Sequence, residues 1–195
     1  MHKTLNNKMA LVKKVPLKPG LNASVLNNLK DNTAELQPHE MLCILTFDEM
    51  AIDPHLAFNG KEFEGFEDLG DTSTSTIADH AHVFMLRGIN GKWKQPIAYT
   101  FSKSSTKTID LVRILKAIIK ECTEIGFKIL AIVSDQGSTN HAAINYLMKH
   151  SVSAQEVREN EDRKYFYIGE SKMVHIYDPP HVLKCIKFFS AFIGC

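Results

Sequence analysis

The sequence predicts an α/β fold with a mixed β-sheet, in which an antiparallel hairpin is followed by parallel βα units and helices cover both faces. Short, continuously apolar runs, typical of strands buried on both faces, occur at 41–47, 127–135 and 173–178. Between the first two, residues 107–125 repeat apolar side chains at helical spacing. The resulting order is strand, hairpin, helix, strand, helix, strand, helix, which is typical of such a sheet.

The hairpin is predicted from two runs of strand-forming residues, 82–89 and 92–101, on either side of Asn90-Gly91. Asn-Gly favours a two-residue turn. Pro96 lacks a backbone donor, so we expect its strand to be an edge strand or to contain a bulge.

The remaining elements are helices and one long loop. Residues 21–30 predict a short packing helix, Gly126 is placed to end the helix at 107–125, and a further helix is predicted over 141–150. Residues 151–172 are polar and charged, which indicates a surface loop. Pro179 and Pro180 open a last predicted helix.

Composition and charge limit the possible classes of protein. The chain has 195 residues, 44% of them hydrophobic, and a formal net charge of +1. It contains no apolar run of the roughly 20 residues that a membrane helix needs, so we expect no membrane partner. A near-neutral charge argues against a simple basic nucleic-acid module. Four cysteines without a C-x-x-C pair indicate buried, reduced thiols rather than a zinc site.

The pattern predicts two parts of the chain. Residues 1–40 contain a basic leader and the short helix, and residues 41–195 form a domain. Residues 1–20 carry five lysines and no acid. Such a leader either contacts nucleic acid or is a solvated tail, and the sequence does not separate the two.

Aspartates follow each of the three apolar strands: Asp48, Asp135 and Asp178. In open α/β sheets, ligand sites lie at the carboxyl ends of the strands, and paired carboxylates bind hard cations such as Mg²⁺. Structural interpretations also exist, since Asp135 precedes a turn and Asp178 precedes two prolines. The pattern alone is a weak signal. His80 and His82 share one strand face, which we interpret as an exposed polar edge.

Four segments, 47–52, 82–102, 126–140 and 175–184, resemble the P-element transposase family, which includes the THAP-domain transposase-like proteins of animals. The segments occur in the family's order, and DQGSTN followed by DPPHVLK is the most specific part. The resemblance implies an RNase H-like fold with a DDE-type, two-metal active site for cutting and joining DNA.

The resemblance assigns Asp48 as the first catalytic, metal-binding aspartate and Asp135 as the second, with Mg²⁺ or Mn²⁺ as the metal. We expect residues 136–140 to shape the turn that presents Asp135, with Gly137 supplying an unusual backbone angle. Four residues are therefore expected to be structural neighbours of the site: Gly137, Asn140, Asp178 and His181.

The family's catalytic glutamate lies beyond an insertion that binds guanine nucleotide (GTP) and starts after the DPPH segment. The sequence ends at Cys195, so we expect an RNase H-like domain that is incomplete at its C-terminus, lacks this third carboxylate and is inactive alone. Whether it is an enzyme stays open. The resemblance further implies DNA (transposon ends) as partner, a possible homo-oligomer and a nuclear location. The alternatives are a non-enzymatic, domesticated remnant that binds nucleic acid or protein, and an unrelated metal nuclease with the same fold.

Overall fold

The computed structural model describes residues 18–33, 36–91, 93–150 and 165–180. The described elements, in chain order, are β1 (Gly20–Leu21), α1 (Ala23–Thr33), β2 (Leu42–Ala51), β3 (Ala57–Phe58), β4 (Phe63–Glu64), β5 (Phe66–Asp68), β6 (Ser73–Ile77), β7 (His80–Gly88), β8 (Lys94–Ser102), α2 (Thr108–Ile125), β9 (Lys128–Ser134), α3 (Ser138–His150), β10 (Tyr165–Ile168) and β11 (Ser171–Tyr177).

The main sheet has the strand order β10-β11-β9-β2-β7-β8-β5-β6, and β1 also pairs with β8. Strands β2, β9 and β11 are mutually parallel, whereas β7 and β8 are antiparallel to their neighbours. The short strands β3 and β4 form a separate antiparallel pair. The predicted mixed sheet is therefore confirmed, with the parallel βα units on one side of β2 and the hairpin on the other.

The core lies between this sheet and the helices, with α2 in contact with α1, α3, β9 and β10. The apolar stripe of α2 is buried, and Leu111, Leu115, Ile118 and Ile119 have no exposed surface. Each such side chain contributes about 1.5–3 kcal/mol by leaving water. The helix ends at Gly126, as predicted, with a left-handed φ of 108°.

The second face of the sheet is less covered in the part of the chain that the structure describes. Val174 and Ile176 of β11 are 37% and 46% exposed. A last helix is predicted to begin at Pro179. Residues 179 and 180 are helical, and residues 181–195 lie outside the described residues. A helix on this second face therefore stays a prediction. No described helix is long and apolar enough to cross a membrane.

Several boundaries differ from those predicted. The connection between β7 and β8 is longer than a two-residue turn, because the β7 strand ends at Gly88, whose backbone N–H donates to the Trp93 carbonyl. The Trp93 indole packs where side chains on Gly88 and Gly91 would lie. Pro96 does lie at a bulge, since Phe84 pairs with Ala98 while the next residue pairs with Pro96.

The predicted surface loop at 151–172 contains strand residues that its polar composition did not predict. Strand β10 and the first residues of β11 form a hairpin within it, turning at Gly169 with a φ of 60°. Residues 151–164 lie outside the described residues. The predicted helix at 141–150 begins earlier, at Ser138, because small polar residues that resemble a turn in sequence form its first turn.

Candidate metal centre

Asp48 and Asp135 lie at one edge of the parallel part of the sheet. The pairing of β2 with β9 ends at Thr46 opposite Val133, so both aspartates lie just beyond the last paired residues. Together with Asp178 they line a cavity of about 240 Å³. The sequence-predicted carboxylates are therefore brought to one cavity, as the parallel direction of their strands requires.

Asp135 is held by two donors at the start of α3. Its Oδ1 accepts a hydrogen bond from the Gly137 backbone N–H at 2.9 Å and one from the Asn140 side-chain amide at 2.5 Å. Asn140 is 7% exposed, so its amide has a fixed direction. Both bonds use the same carboxylate oxygen, which leaves Oδ2 available as a ligand.

Gly137 acts through its size and not, as predicted, through an unusual backbone angle. It is not one of the described glycines with a positive φ. A Cβ at this position would lie 3.0 Å from Asp135 Oδ1 and 3.5 Å from Asn140 Nδ2. Any side chain here would press on the carboxylate, so glycine is explained by close approach.

Asp48 lies within a strand and not at its end, contrary to the sequence prediction. Strand β2 continues to Ala51, because the antiparallel partner β7 outlasts the parallel partner β9. Asp48 is exposed, and its Oδ1 accepts a hydrogen bond from the Glu49 backbone N–H at 2.9 Å. Its orientation therefore follows the path of β2 itself.

Asp178 lies beside the two candidate ligands. Its backbone N–H donates to the Ser134 carbonyl at 2.8 Å, which continues the parallel pairing of β11 with β9. His181, the other expected neighbour, lies outside the described residues. Within the described ranges, no group of three or more histidine, cysteine, aspartate or glutamate side chains is arranged to hold a metal ion.

A buried polar cluster behind Asp48 was missed from the sequence. Glu49 Oε1 accepts hydrogen bonds from the Thr106 backbone N–H at 2.8 Å and from its hydroxyl at 2.9 Å. His82, paired with Glu49 across the strands, is 1% exposed, so the prediction of an exposed edge is wrong for this residue. No sequence signal reveals the cluster, because Glu49 and Thr106 are 57 residues apart and meet only in the tertiary structure.

Burial lowers the pKa of His82, although the negative charges of Glu49, Asp48 and Asp135 oppose this shift. Its Nδ1 lies 3.3 Å from the Thr106 hydroxyl, and its Nε2 has no hydrogen-bond partner in the described structure. His82 is therefore a buried, neutral member of this polar cluster.

A second histidine lies behind Asp135. His175 Nε2 is 3.0 Å from the Ser134 hydroxyl, which itself donates to the Asp135 carbonyl at 3.1 Å. Burial, together with repulsion from His141, lowers the pKa of His175 to about 4. His175 is thus neutral near pH 7 and links β11 to the strand that presents Asp135.

A larger cavity of about 510 Å³ lies elsewhere, between α2, α3 and the β10–β11 hairpin. Its charged lining includes Lys116 and Lys120 but also Glu124 and Glu170. Opposite charges in one groove give no net attraction for an anion, and the groove lacks the paired aspartates. We therefore place the candidate centre in the smaller cavity.

The sequence profile of the TNP-like, RNase H N-terminal domain family matches residues 17–148, more than half of the chain. The chain belongs to this family. The match covers the elements from β1 to β9 and α3 up to residue 148, and it includes both candidate aspartates.

Two curated relatives agree with this assignment. The DNA transposase THAP9 of Homo sapiens is 24% identical over 179 residues, and the Transposable element P transposase of Drosophila melanogaster is 22% identical over 151 residues. The alignments cover 87% and 76% of this chain but only 19% and 17% of those proteins. The chain thus spans about a fifth of the length of these relatives. The resemblance to the P-element transposase family is confirmed.

One solved structure confirms the fold. The Drosophila P element transposase strand transfer complex superimposes with a TM-score of 0.63 and 21% sequence identity. The match covers 94% of this chain and 36% of that chain. The predicted RNase H-like fold is therefore confirmed.

Proposed function

We propose that this chain is the part of a DDE-type transposase catalytic domain that carries its first two metal-binding carboxylates, Asp48 and Asp135. The observation that supports the proposal is their meeting at one cavity, at the same edge of two adjacent parallel strands. Membership of a transposase-related family agrees with it.

The donor set fits Mg²⁺ or Mn²⁺. Carboxylate oxygens are the ligands that these hard cations prefer, and both cations keep several waters when bound. The cavity of about 240 Å³ has room for such waters and for a phosphate group. Asp135 presents Oδ2, because its Oδ1 is engaged by Gly137 and Asn140.

When bound, such ions supply Lewis-acid stabilisation of the attacking and leaving oxygens in phosphoryl transfer. In the proposed arrangement, the carboxylates of Asp48 and Asp135 would hold these ions. The Gly137 N–H and the Asn140 amide hold the Asp135 carboxylate in one orientation, so that little entropy is lost when a ligand binds.

The third ligand of such a site is not provided by the described residues, which contain no cluster of three candidate ligands. We therefore expect weak metal binding and no DNA cleavage by this chain alone. The substrate in a longer protein would be DNA, namely transposon ends bound in the nucleus, with possible homo-oligomerisation. Any GTP-binding role would belong to residues outside this sequence.

Two experiments test the proposal. The first is a Mn²⁺ titration monitored by electron paramagnetic resonance, and the second is a nicking assay on duplex DNA. We expect millimolar binding that is lost in Asp48→Ala and in Asp135→Ala. Asp31→Ala serves as the matched control, because Asp31 is an exposed acid of α1. Unchanged Mn²⁺ binding in both site variants would contradict the site. Metal-dependent nicking that disappears in Asp48→Ala would contradict the expected inactivity.

The described residues contain no group of three candidate metal ligands, and this also favours a second candidate function, a domesticated, non-enzymatic protein that binds nucleic acid or protein through the same fold. The two functions differ in the role of metal. Metal-independent DNA binding that is equal in wild type and Asp48→Ala, together with no Mn²⁺ binding, would favour the second.

A further inference from the structure

The two candidate ligands are held in different ways. Asp135 is fixed through its side chain by two donors, whereas the hydrogen bond that Asp48 accepts comes from the amide of its own neighbour, Glu49. An adjacent amide moves with the carboxylate, so it cannot hold Asp48 against the rest of the protein. The position of Asp48 relative to Asp135 must therefore depend on what anchors this part of β2, which still pairs with β7 but has passed the end of its pairing with β9.

Glu49 provides a connection across the fold. Its side chain lies on the face of β2 opposite that of Asp48, as successive residues of a strand do. One oxygen, Oε1, accepts two hydrogen bonds from Thr106, at 2.8 Å from the backbone N–H and 2.9 Å from the hydroxyl. Thr106 immediately precedes Lys107, the N-cap of α2. These bonds join β2 to the start of the longest described helix.

The surroundings strengthen this connection. The Glu49 side chain is 18% exposed, and Thr106 is 2% exposed. His82 closes one side, with its ring stacked on Phe84 at a centroid distance of 4.7 Å. The Ser102 hydroxyl lies 3.5 Å from that of Thr106. Hydrogen bonds to a carboxylate in such a place are stronger than those at an open surface.

We propose that Glu49 is a positioning residue for Asp48: by accepting two hydrogen bonds from Thr106, it ties β2 to the start of α2 and fixes Asp48 opposite Asp135. The proposal rests on the proposed function, because it assigns Asp48 a metal to hold. It concerns the hydrogen bonds of Glu49 and gives its carboxylate no contact with the metal.

Four variants of the full chain separate the possible roles. Glu49→Gln keeps a side-chain oxygen that can accept from Thr106, Glu49→Ala removes it, and Thr106→Val removes the hydroxyl while keeping the backbone N–H. Thr100→Val is the matched control. Thr100 is a fully buried threonine that pairs with His82 across the strands, and the Thr100 hydroxyl has no hydrogen-bond partner in the described structure. Each variant is studied at a temperature where circular dichroism shows it folded.

The first measurement is the Mn²⁺ dissociation constant. We expect about a tenfold weakening in Glu49→Ala, a smaller loss in Thr106→Val, and values within about threefold of wild type in Glu49→Gln and Thr100→Val. Wild-type affinity in folded Glu49→Ala would overturn the proposal. An equal loss in Glu49→Gln and Glu49→Ala would also overturn it, because charge and not hydrogen bonding would then matter.

The second measurement is amide hydrogen exchange at residues 48–50, recorded without metal. We expect faster exchange in Glu49→Ala and wild-type exchange in Glu49→Gln, and unchanged exchange in Glu49→Ala would overturn the anchoring. If wild type shows no Asp48-dependent Mn²⁺ binding, the proposed function fails. The exchange data then still decide whether Glu49 anchors β2.

Discussion

Asn140 donates its side-chain amide to Asp135 Oδ1 at 2.5 Å, across the turn that joins β9 to α3. The donor belongs to the first turn of a helix and the acceptor follows a strand of the central sheet, so the bond links two rigid elements at the candidate site. It gives the first prediction.

Asn140→Ala removes this bond and leaves the buried surroundings of Asp135 with one donor fewer. We expect a loss of about 1–3 kcal/mol in the free energy of unfolding and a several-fold weaker Mn²⁺ affinity. Urea unfolding and Mn²⁺ titration measure the two effects. Asn145→Ala on the same helix is the control, because Asn145 bonds to His141 and not to Asp135. Equal Mn²⁺ affinity in Asn140→Ala and wild type would show that Asn140 does not orient the carboxylate.

Gly137→Ala tests close approach without removing a hydrogen bond. The added Cβ would lie 3.0 Å from Asp135 Oδ1, so the carboxylate must shift by a few tenths of an ångström. We expect Mn²⁺ affinity to fall by about threefold to tenfold while the free energy of unfolding changes by less than about 1 kcal/mol. Gln136→Ala, at the exposed neighbouring position, should leave both quantities unchanged. A large loss of stability with intact Mn²⁺ affinity would contradict this explanation.

Gly70 and Gly20 approach each other where β1 joins the sheet. Both have positive φ, 96° and 87°, and a Cβ on Gly70 would overlap the Cα of Gly20. Gly70→Ala should therefore lower the free energy of unfolding by more than the about 1–2 kcal/mol that a left-handed conformation costs a non-glycine residue, because it also displaces β1. Gly60→Ala is the control, with a φ of 93° and open space around its Cβ. In thermal or urea unfolding, Gly70→Ala should be less stable than Gly60→Ala. Equal losses of stability in the two variants would contradict the steric explanation.

His175 predicts a pH dependence of stability. Its pKa is lowered to about 4, from 6.5 in the unfolded chain, so the unfolded state binds more protons between these values. The free energy of unfolding contributed by His175 should therefore be constant above pH 6.5 and decrease as the pH falls toward 4. After allowance for partial exposure, the loss is of order 1 kcal/mol.

The measurement is urea unfolding of wild type, His175→Gln and His39→Gln from pH 4 to 8. His175→Gln should show a flatter profile below pH 6.5, whereas His39→Gln, which changes an exposed histidine, should follow wild type. Parallel profiles for wild type and His175→Gln would contradict the assignment.

The central elements could be predicted because their apolar patterns are strong. Strand β9 and helix α2 begin and end within one residue of the predicted positions, since a short continuous apolar run and an apolar stripe at helical spacing are each distinctive patterns. The short strand β6 was not predicted from the sequence. It is polar and exposed, and it becomes a strand only by pairing with β5.

The candidate site likewise combines features that the sequence predicted with features that only the structure shows. Asp48 and Asp135 were selected from strand order and family resemblance, and the parallel pairing of β2 with β9 then brings them to one cavity. The roles of the neighbours were less predictable. Gly137 was expected to supply a backbone angle, but its contact distance to Asp135 is the relevant quantity. Such distances depend on side-chain directions that spacing does not specify.

The sequence by itself determined the order of the central strands and helices, the choice of the two candidate aspartates and the family. Periodicity and local motifs carry this information, because each depends only on residues near one another in the chain. Only the tertiary structure decided that Glu49 meets Thr106, that His82 is buried and that Asp48 lies inside a longer strand. These features arise from contacts between distant segments, whose geometry is set when the sheet pairs and α2 packs against it.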